Sequence, residues 1–430
     1  MARKPIILIR NGHIGTLHGL AKADILIRGE RIAAVEAGLT SPPGTALVEA
    51  KGKVILPGLI DAHVHLGDTG GGFKEDFYPE TCAALAGGVT TALVMPDLRP
   101  PLIDASSLAH ALARAAQTSV CDHGLFLGAT RGNLAVAARV KNAVGVKLYM
   151  GSRAGAPVVG DFASQFELFK AYPPSRVIAL HAEDDAALQF FARQGKRCPP
   201  LCVELAVQRA LAIAADLKRR IHICHISTAR ELALVQDAKK RGVPVTCEVA
   251  PHHLFLSTGV EKHLGPRGRM HPPLRPDQDV RALWGGLGSI DVVATDHTPR
   301  ALNEKSGDST SLGVPGLETM LPLLLTAVHE QQLSYGDLVR LTAAGPAKVF
   351  DLADKGRIQE GAHADLVIVD PNVQWKIDGA KLRTGGGWTP FEGWQVRGRV
   401  EQVYLRGRPV YGGERVLVEP GYGQRVKQVD

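Results

Sequence analysis

The chain has 430 residues, 45% hydrophobic and 22% charged, with no low-complexity tract, which excludes a disordered chain and leaves room for one large core and a smaller satellite domain. The net charge of +7 comes from Lys and Arg scattered among acids, the pattern of a solvated surface and not of a nucleic-acid-binding block. Residues 6–9 are too short for a signal peptide, residues 321–328 too short for a membrane span, and Cys82, Cys121, Cys198, Cys202, Cys224 and Cys247 show no disulfide-framework spacing, so a cytoplasmic protein without nucleic-acid or membrane partners is expected.

In chain order, β-branched runs at 6–10, 24–28 and 31–35 alternate with the turn signals Asn11-Gly12 and Arg28-Gly29-Glu30. The same texture returns at 365–370 and 401–407. Residues 1–53 and 351–430 are therefore expected to form one small β-sandwich domain from both chain ends. Between them, in 54–350, apolar runs at 54–56, 90–95, 124–127, 146–149, 177–180, 221–224, 245–249 and 292–295 alternate with helix-length segments. This rhythm predicts an α/β fold with a (β/α)8 TIM-like barrel, whose site lies at the C-terminal strand ends. A doubly wound open sheet competes, and the placement of polar residues favours the barrel.

Those strand ends carry the chemistry. The first run leads into Ile60-Asp61-Ala62-His63-Val64-His65, and residues two apart on a strand share a face, so His63 and His65 can reach one metal ion or be packed core residues. Later ends supply Asp97, Lys147, His181, Cys224-His225, Glu248 and Asp296-His297. In a closed barrel they converge on one mouth. Four histidines and an aspartate exceed what one open catalytic zinc takes, so two divalent ions, zinc or similar, are inferred. Lys147 is the odd member: it is either a lysine snorkelling to the rim or one carbamylated by CO2, an anion able to bridge the ions. His252 and His253 are expected in supporting hydrogen bonds or core packing, and His123 and His222 in the core or on the bottom face.

These motifs, with Cys247-Glu248-Val249-Ala250-Pro251-His252-His253-Leu254, Pro315-Gly316-Leu317-Glu318-Thr319-Met320 and Trp388-Thr389-Pro390-Phe391-Glu392-Gly393, resemble the amidohydrolase superfamily. The resemblance is strongest to dihydroorotases, in particular the dihydroorotase domain of the animal multifunctional pyrimidine-synthesis protein. It implies that His63 and His65 hold one metal, that His181 and His225 hold the other, and that carbamylated Lys147 bridges them. Asp296 is then both a ligand and the proton shuttle for a metal-bridging hydroxide that opens a cyclic amide, with dihydroorotate and carbamoyl aspartate as the family default. Cys224 and Glu248 match ligands of a third zinc. A homo-oligomer (dimer or tetramer) and an association with aspartate transcarbamoylase also follow from the family.

The carboxylate clamp departs from the family. Where dihydroorotases hold the substrate carboxylate with arginine, asparagine and histidine, this chain has Gly67, Asp97, His271 and Arg300. Asp97, His271 and Arg300 are read as substrate-binding, with Arg153 as a further positive partner and Asp68 as a solvated loop residue. Three functions stay open: dihydroorotase; the same chemistry on a hydantoin, dihydropyrimidine, allantoin or cyclic imide; and a non-catalytic dihydroorotase-like partner protein.

Overall fold

The computed structural model describes residues 5–66, 77–151, 157–305 and 311–429. The two chain ends build a β-sandwich. One sheet runs Arg31–Glu36, Asp24–Arg28, Ile6–Arg10, Ala46–Glu49; the other runs Arg415–Val416, Arg408–Gly412, Gln395–Leu405, Leu366–Lys376, Val54–Pro57, His13–Thr16, Gly19–Lys22. Period-two alternation turns Ile7 and Ile9, Ile25 and Ile27, and Leu366 and Ile368 into one shared core.

The run at 54–56, expected as the first barrel strand, belongs to this sandwich instead. Val54–Pro57 pairs antiparallel with Leu366–Lys376 and parallel with His13–Thr16, so its apolar residues answer to a sheet whose other strands lie hundreds of positions away. The chain then passes into the barrel through Gly58. Its N–H donates to the carbonyl of Asp365 at 2.7 Å, and a Cβ there would stand 2.3 Å from Thr90 Oγ1, so only glycine fits without displacing a neighbour.

The barrel strands follow: β1 (Leu59–Val64), β2 (Val89–Val94), β3 (Asp122–Leu125), β4 (Val146–Tyr149), β5 (Ile178–His181), β6 (Ile221–Ile223), β7 (Val245–Val249) and β8 (Val292–Val293). Neighbours pair in parallel, β3 resuming after Phe126 as Leu127–Gly128 to meet β4. A parallel bridge from Val64 to His297, with the His65 N–H on the His297 carbonyl at 2.8 Å, closes the ring. Ile60, Ala62, Leu93, Phe126, Ala179 and Val292 fill the interior, while Leu59, Val64, Val94, Leu148 and Leu180 join the larger core that includes the outer helices. Among the described residues no helix is long and apolar enough to cross a membrane.

At the bottom of the barrel, Phe350 meets Phe126 edge-on at 5.6 Å, and Gln428 Nε2 in the C-terminal tail donates to the Val144 carbonyl at 2.8 Å. A buried ion cluster ties this end to the sandwich. Lys355 Nζ lies 2.8 Å from Asp122 and 2.6 Å from Asp365, and Arg406 also pairs with Asp122. Burial opposes ionisation of Asp122, but Lys355 and Arg406 outweigh it and hold its carboxyl below the usual range. A depressed carboxyl contributes stability that is complete above the unfolded-state pKa and is lost as pH falls through the folded value. Asp122→Asn is expected to destabilise by about 3–5 kcal/mol at neutral pH, because two buried cations lose a partner. Its melting temperature should converge on that of the parent as pH falls below the ordinary carboxylate range; a gap that stays constant down to acid would refute this account.

Candidate active site

The first two histidines face the interior because β1 changes parity. Ile60 and Ala62 point into the barrel, yet so do His63 and His65, and the β1–β2 pairing slips its register between Asp61 and Val64. A bulge of this kind re-aims side chains next to sites. Asp61 pins it: Oδ1 accepts from the His63 N–H at 3.2 Å and the Thr295 N–H at 3.1 Å, and Oδ2 accepts from Thr295 Oγ1 at 2.5 Å. Burial pushes Asp61 up to about 7, against the hydrogen bonds from Thr295.

Around Asp296 the expected ligands meet. Its Oδ1 lies 3.2 Å from Nε2 of both His63 and His65. One donor atom each from His63, His65 and Asp296 lie within 4.8 Å of one another, and so do those of His63, Cys224 and Glu248. His181 Nδ1 and His225 Nε2 face each other at 2.9 Å, and the His63 and His225 rings are 5.3 Å apart. Lys147, fully buried, sets Nζ 2.9 Å from Cys224 Sγ and 3.5 Å from His63 Nε2. No carboxylate among the described residues lies within ion-pair distance of it. Burial and the Lys147 charge press His63 down to about 4, so its ring is neutral, the form a metal takes. Burial opposes ionisation of Asp296, but His63, His65 and His225 hold it well below the carboxylate range. Burial pushes the Cys224 thiol up. The backbone at His225 (φ 35°) and Asp296 (φ 48°) is left-handed, which costs non-glycine residues about 1–3 kcal/mol each and recurs at functional sites.

A second layer holds the rings. Glu183 Oε2 takes His181 Nε2 at 2.8 Å; Glu248 takes His63 Nδ1 at 2.5 Å through one oxygen and His222 Nε2 at 3.1 Å through the other. His222, expected as core or bottom-face, is thus a support of the site. His297 accepts at Nδ1 from the Gly316 N–H at 3.0 Å and so donates at Nε2, to Glu80 at 3.0 Å. Glu80 had no sequence signal, since an acid in the first turn of the helix Tyr78–Ala86 reads as a solvated face or a dipole partner.

The expected substrate residues divide. Asp97 is directed at a ring: its Oδ1 lies 2.6 Å from His65 Nδ1, the carboxylate–histidine pairing that orients metal ligands. His271 Nδ1 lies 3.4 Å from Glu183. Arg300 Nε donates to the Leu312 carbonyl at 3.4 Å and its own carbonyl accepts from Trp388 Nε1 at 2.7 Å, bonds that do not reach the ligand cluster. Gly67, Asp68 and Arg153 lie outside the described residues.

Comparison with known proteins gives two sets of relatives. The amidohydrolase family matches residues 54–410. The chain is 42% identical over 374 residues to the multifunctional protein CAD of Squalus acanthias, covering 86% of this chain but 16% of that protein, and 35% identical to a dihydroorotase of Pyrococcus horikoshii, covering 87% and 85%. Among solved structures, the L-hydantoinase (dihydropyrimidinase) from Arthrobacter aurescens superposes with a TM-score of 0.91 at 29% identity, covering 98% and 99% of the two chains. The dihydropyrimidinase from Brevibacillus agri gives 0.90 at 26%, covering 98% of each.

The Asp97–His65 contact yields a test. Asp97→Ala is expected to weaken zinc binding about 10–100-fold, read by competition with a chromophoric chelator, with the far-ultraviolet circular dichroism unchanged. Unaltered zinc affinity would show that Asp97 does not orient this ring.

Proposed function

Because this chain belongs to the amidohydrolase family and is a cyclic amidohydrolase like its dihydroorotase relatives, we propose that it interconverts dihydroorotate and carbamoyl aspartate in pyrimidine biosynthesis. The observation that carries the reading is the position of Asp296, one oxygen equidistant from Nε2 of His63 and His65 at a left-handed strand end.

The donor set fits two divalent ions. Buried neutral imidazoles and a carboxylate are zinc-type ligands, and a buried lysine without a carboxylate partner among the described residues is the group that carbamylation would turn into an anionic ligand. His63, His65 and Asp296 would hold one ion, His181 and His225 the other, and Lys147 as carbamate would join them. Cys224, Glu248 and the Nδ1 side of His63 form a further set for a third ion. Such ions lower the pKa of water towards neutrality and polarise the carbonyl under attack.

The chain's own residues do the rest. Asp296, ionised, takes the proton of the attacking water at a carboxylate oxygen. When the ring C–N bond breaks, the same oxygen returns that proton to the leaving nitrogen, and the carboxylate is regenerated. Glu183, Glu248 and Asp97 keep three imidazoles oriented through the cycle. The left-handed backbone at residue 296, next to the His297 that Glu80 and Gly316 fasten, keeps the shuttle at the mouth.

A second reading, the same chemistry on a hydantoin or dihydropyrimidine, is favoured by the close superposition on hydantoinases and by the changed residues Gly67, Asp97, His271 and Arg300. Ring opening of L-dihydroorotate, followed as loss of ultraviolet absorbance with zinc-loaded protein in bicarbonate, separates the two. Turnover is expected, with His63→Ala inactive and Asp296→Asn slower by about 10²–10⁴-fold. Turnover of hydantoin or dihydrouracil with none of dihydroorotate would establish the second reading.

A further inference from the structure

Lys305 is a buried cation with no part in the steps at Asp296. Its exposure is 2%, and its Nζ donates to three backbone carbonyls, those of Arg269 at 2.8 Å, Gly313 at 3.0 Å and Ser311 at 3.1 Å. An ammonium has three hydrogens, and each finds an acceptor. The ring of Trp388 lies 5.5 Å from Nζ as a further neighbour of the charge. Burial and the charges of Arg300, Arg269 and Arg197 press the amine down to about 7, while the three carbonyls favour the ammonium, since a neutral amine would turn its lone pair on one of them. Burying an ammonium is costly unless its hydrogens are used, and here the acceptors belong to two different segments of the rim.

The first segment carries Arg269 and, two residues on, His271, whose Nδ1 lies 3.4 Å from Glu183, the carboxylate that holds His181 at 2.8 Å. The second carries Ser311 and Gly313 and runs into Val314, which bridges His297 beside Asp296 and whose carbonyl accepts from the Thr298 N–H at 2.9 Å. Lys305 thus joins the His181 side of the ligand cluster to the Asp296 side. The Gly313 N–H also donates to the Arg269 carbonyl at 3.1 Å, so that oxygen receives two donors from outside its own segment. The Trp388-Thr389-Pro390 motif braces the same place. Trp388 Nε1 donates to the Arg300 carbonyl at 2.7 Å, and Arg300 Nε donates at 3.4 Å to the carbonyl of Leu312, between the two residues of that segment which Lys305 takes.

We propose that Lys305 is a positioning residue of the ring-opening site: its ammonium ties the segment bearing His271 to the segment that returns to His297, and so sets the width of the mouth over Asp296 for the ring that enters it. The metal-type ligands and Asp296 are fastened separately, through Glu183, Glu248, Asp61 and Glu80, so losing the tie should cost substrate binding before it costs chemistry. This inference rests on the cyclic-amide reading above and adds to it the group that spaces the rim.

Lys305→Met keeps the apolar stem and removes the three donors. Ring opening is followed with zinc-loaded protein just below neutral pH and well below the melting temperature of each variant, on whichever of L-dihydroorotate and dihydrouracil the parent opens. KM should rise about tenfold or more while kcat stays within about threefold, the pattern of lost uniform binding, and zinc content should match the parent. Lys305→Gln, which retains two donors, should show a smaller rise in KM, and it carries the test if the methionine variant does not melt cooperatively. A lysine that serves stability alone would lower the melting temperature and leave KM where it was. An unaltered KM in a folded variant, or a loss confined to kcat or to bound zinc, would therefore overturn the positioning role while leaving ring opening established. A parent that opens neither ring would overturn the cyclic-amide reading and the positioning role with it.

Discussion

A carboxyl group taken out of water needs a partner, and those buried at the mouth of this barrel include Asp61, Glu183, Glu248 and Asp296. Each is held by hydrogen bonds from strand-end residues, for Glu183 from its own strand and for the other three from different ones, and the requirement to pair them all fixes the mouth. Asp61 locks β1 to β8 through Thr295, Glu183 holds His181, Glu248 joins His63 to His222, and Asp296 faces two imidazoles. Where these carboxyl groups are paired in the low-dielectric interior the network is rigid, because every departure leaves an unpaired group. The same rigidity suits metal ligands, whose rings must be neutral and aimed before an ion arrives.

Much of this was legible in the sequence. His63, His65, His181, His225, Glu248 and Asp296 each close an apolar run, and a barrel brings such ends together wherever they lie along the chain. The sandwich was legible too, from short β-branched and apolar runs between turn signals at both ends. What escaped depends on partners the local pattern does not contain. Residues 54–56 look like a barrel strand until Leu366–Lys376 pairs with them. Asp97 looks like a substrate contact until His65 turns Nδ1 towards it, and Glu80 looks like an ordinary helix acid until His297 reaches it. In each case the deciding contact is between side chains or strands remote in sequence, and composition and periodicity carry no trace of it.

The relatives divide along a physical line. Hydantoinase and dihydropyrimidinase structures superpose on nearly the whole of this chain, and proteins named dihydroorotase align with most of its sequence. His271 and Arg300, read from the sequence as substrate contacts, sit on segments beyond the strand ends. Fold and ligand set therefore speak to the bond that is broken, and the rim speaks to the molecule that carries it.

The slipped register between Asp61 and Val64 has a consequence for how such a site can be lost or gained. Substitution elsewhere on β1 leaves both histidines facing inward, so point mutation erodes the site only residue by residue. If regular alternation ran on from Ile60 and Ala62 with no residue lost, His63 and His65 would turn outward together while every ligand remained in the gene. The inward aim of both rings thus depends on one short irregular stretch of β1, which Asp61 pins to the end of β8.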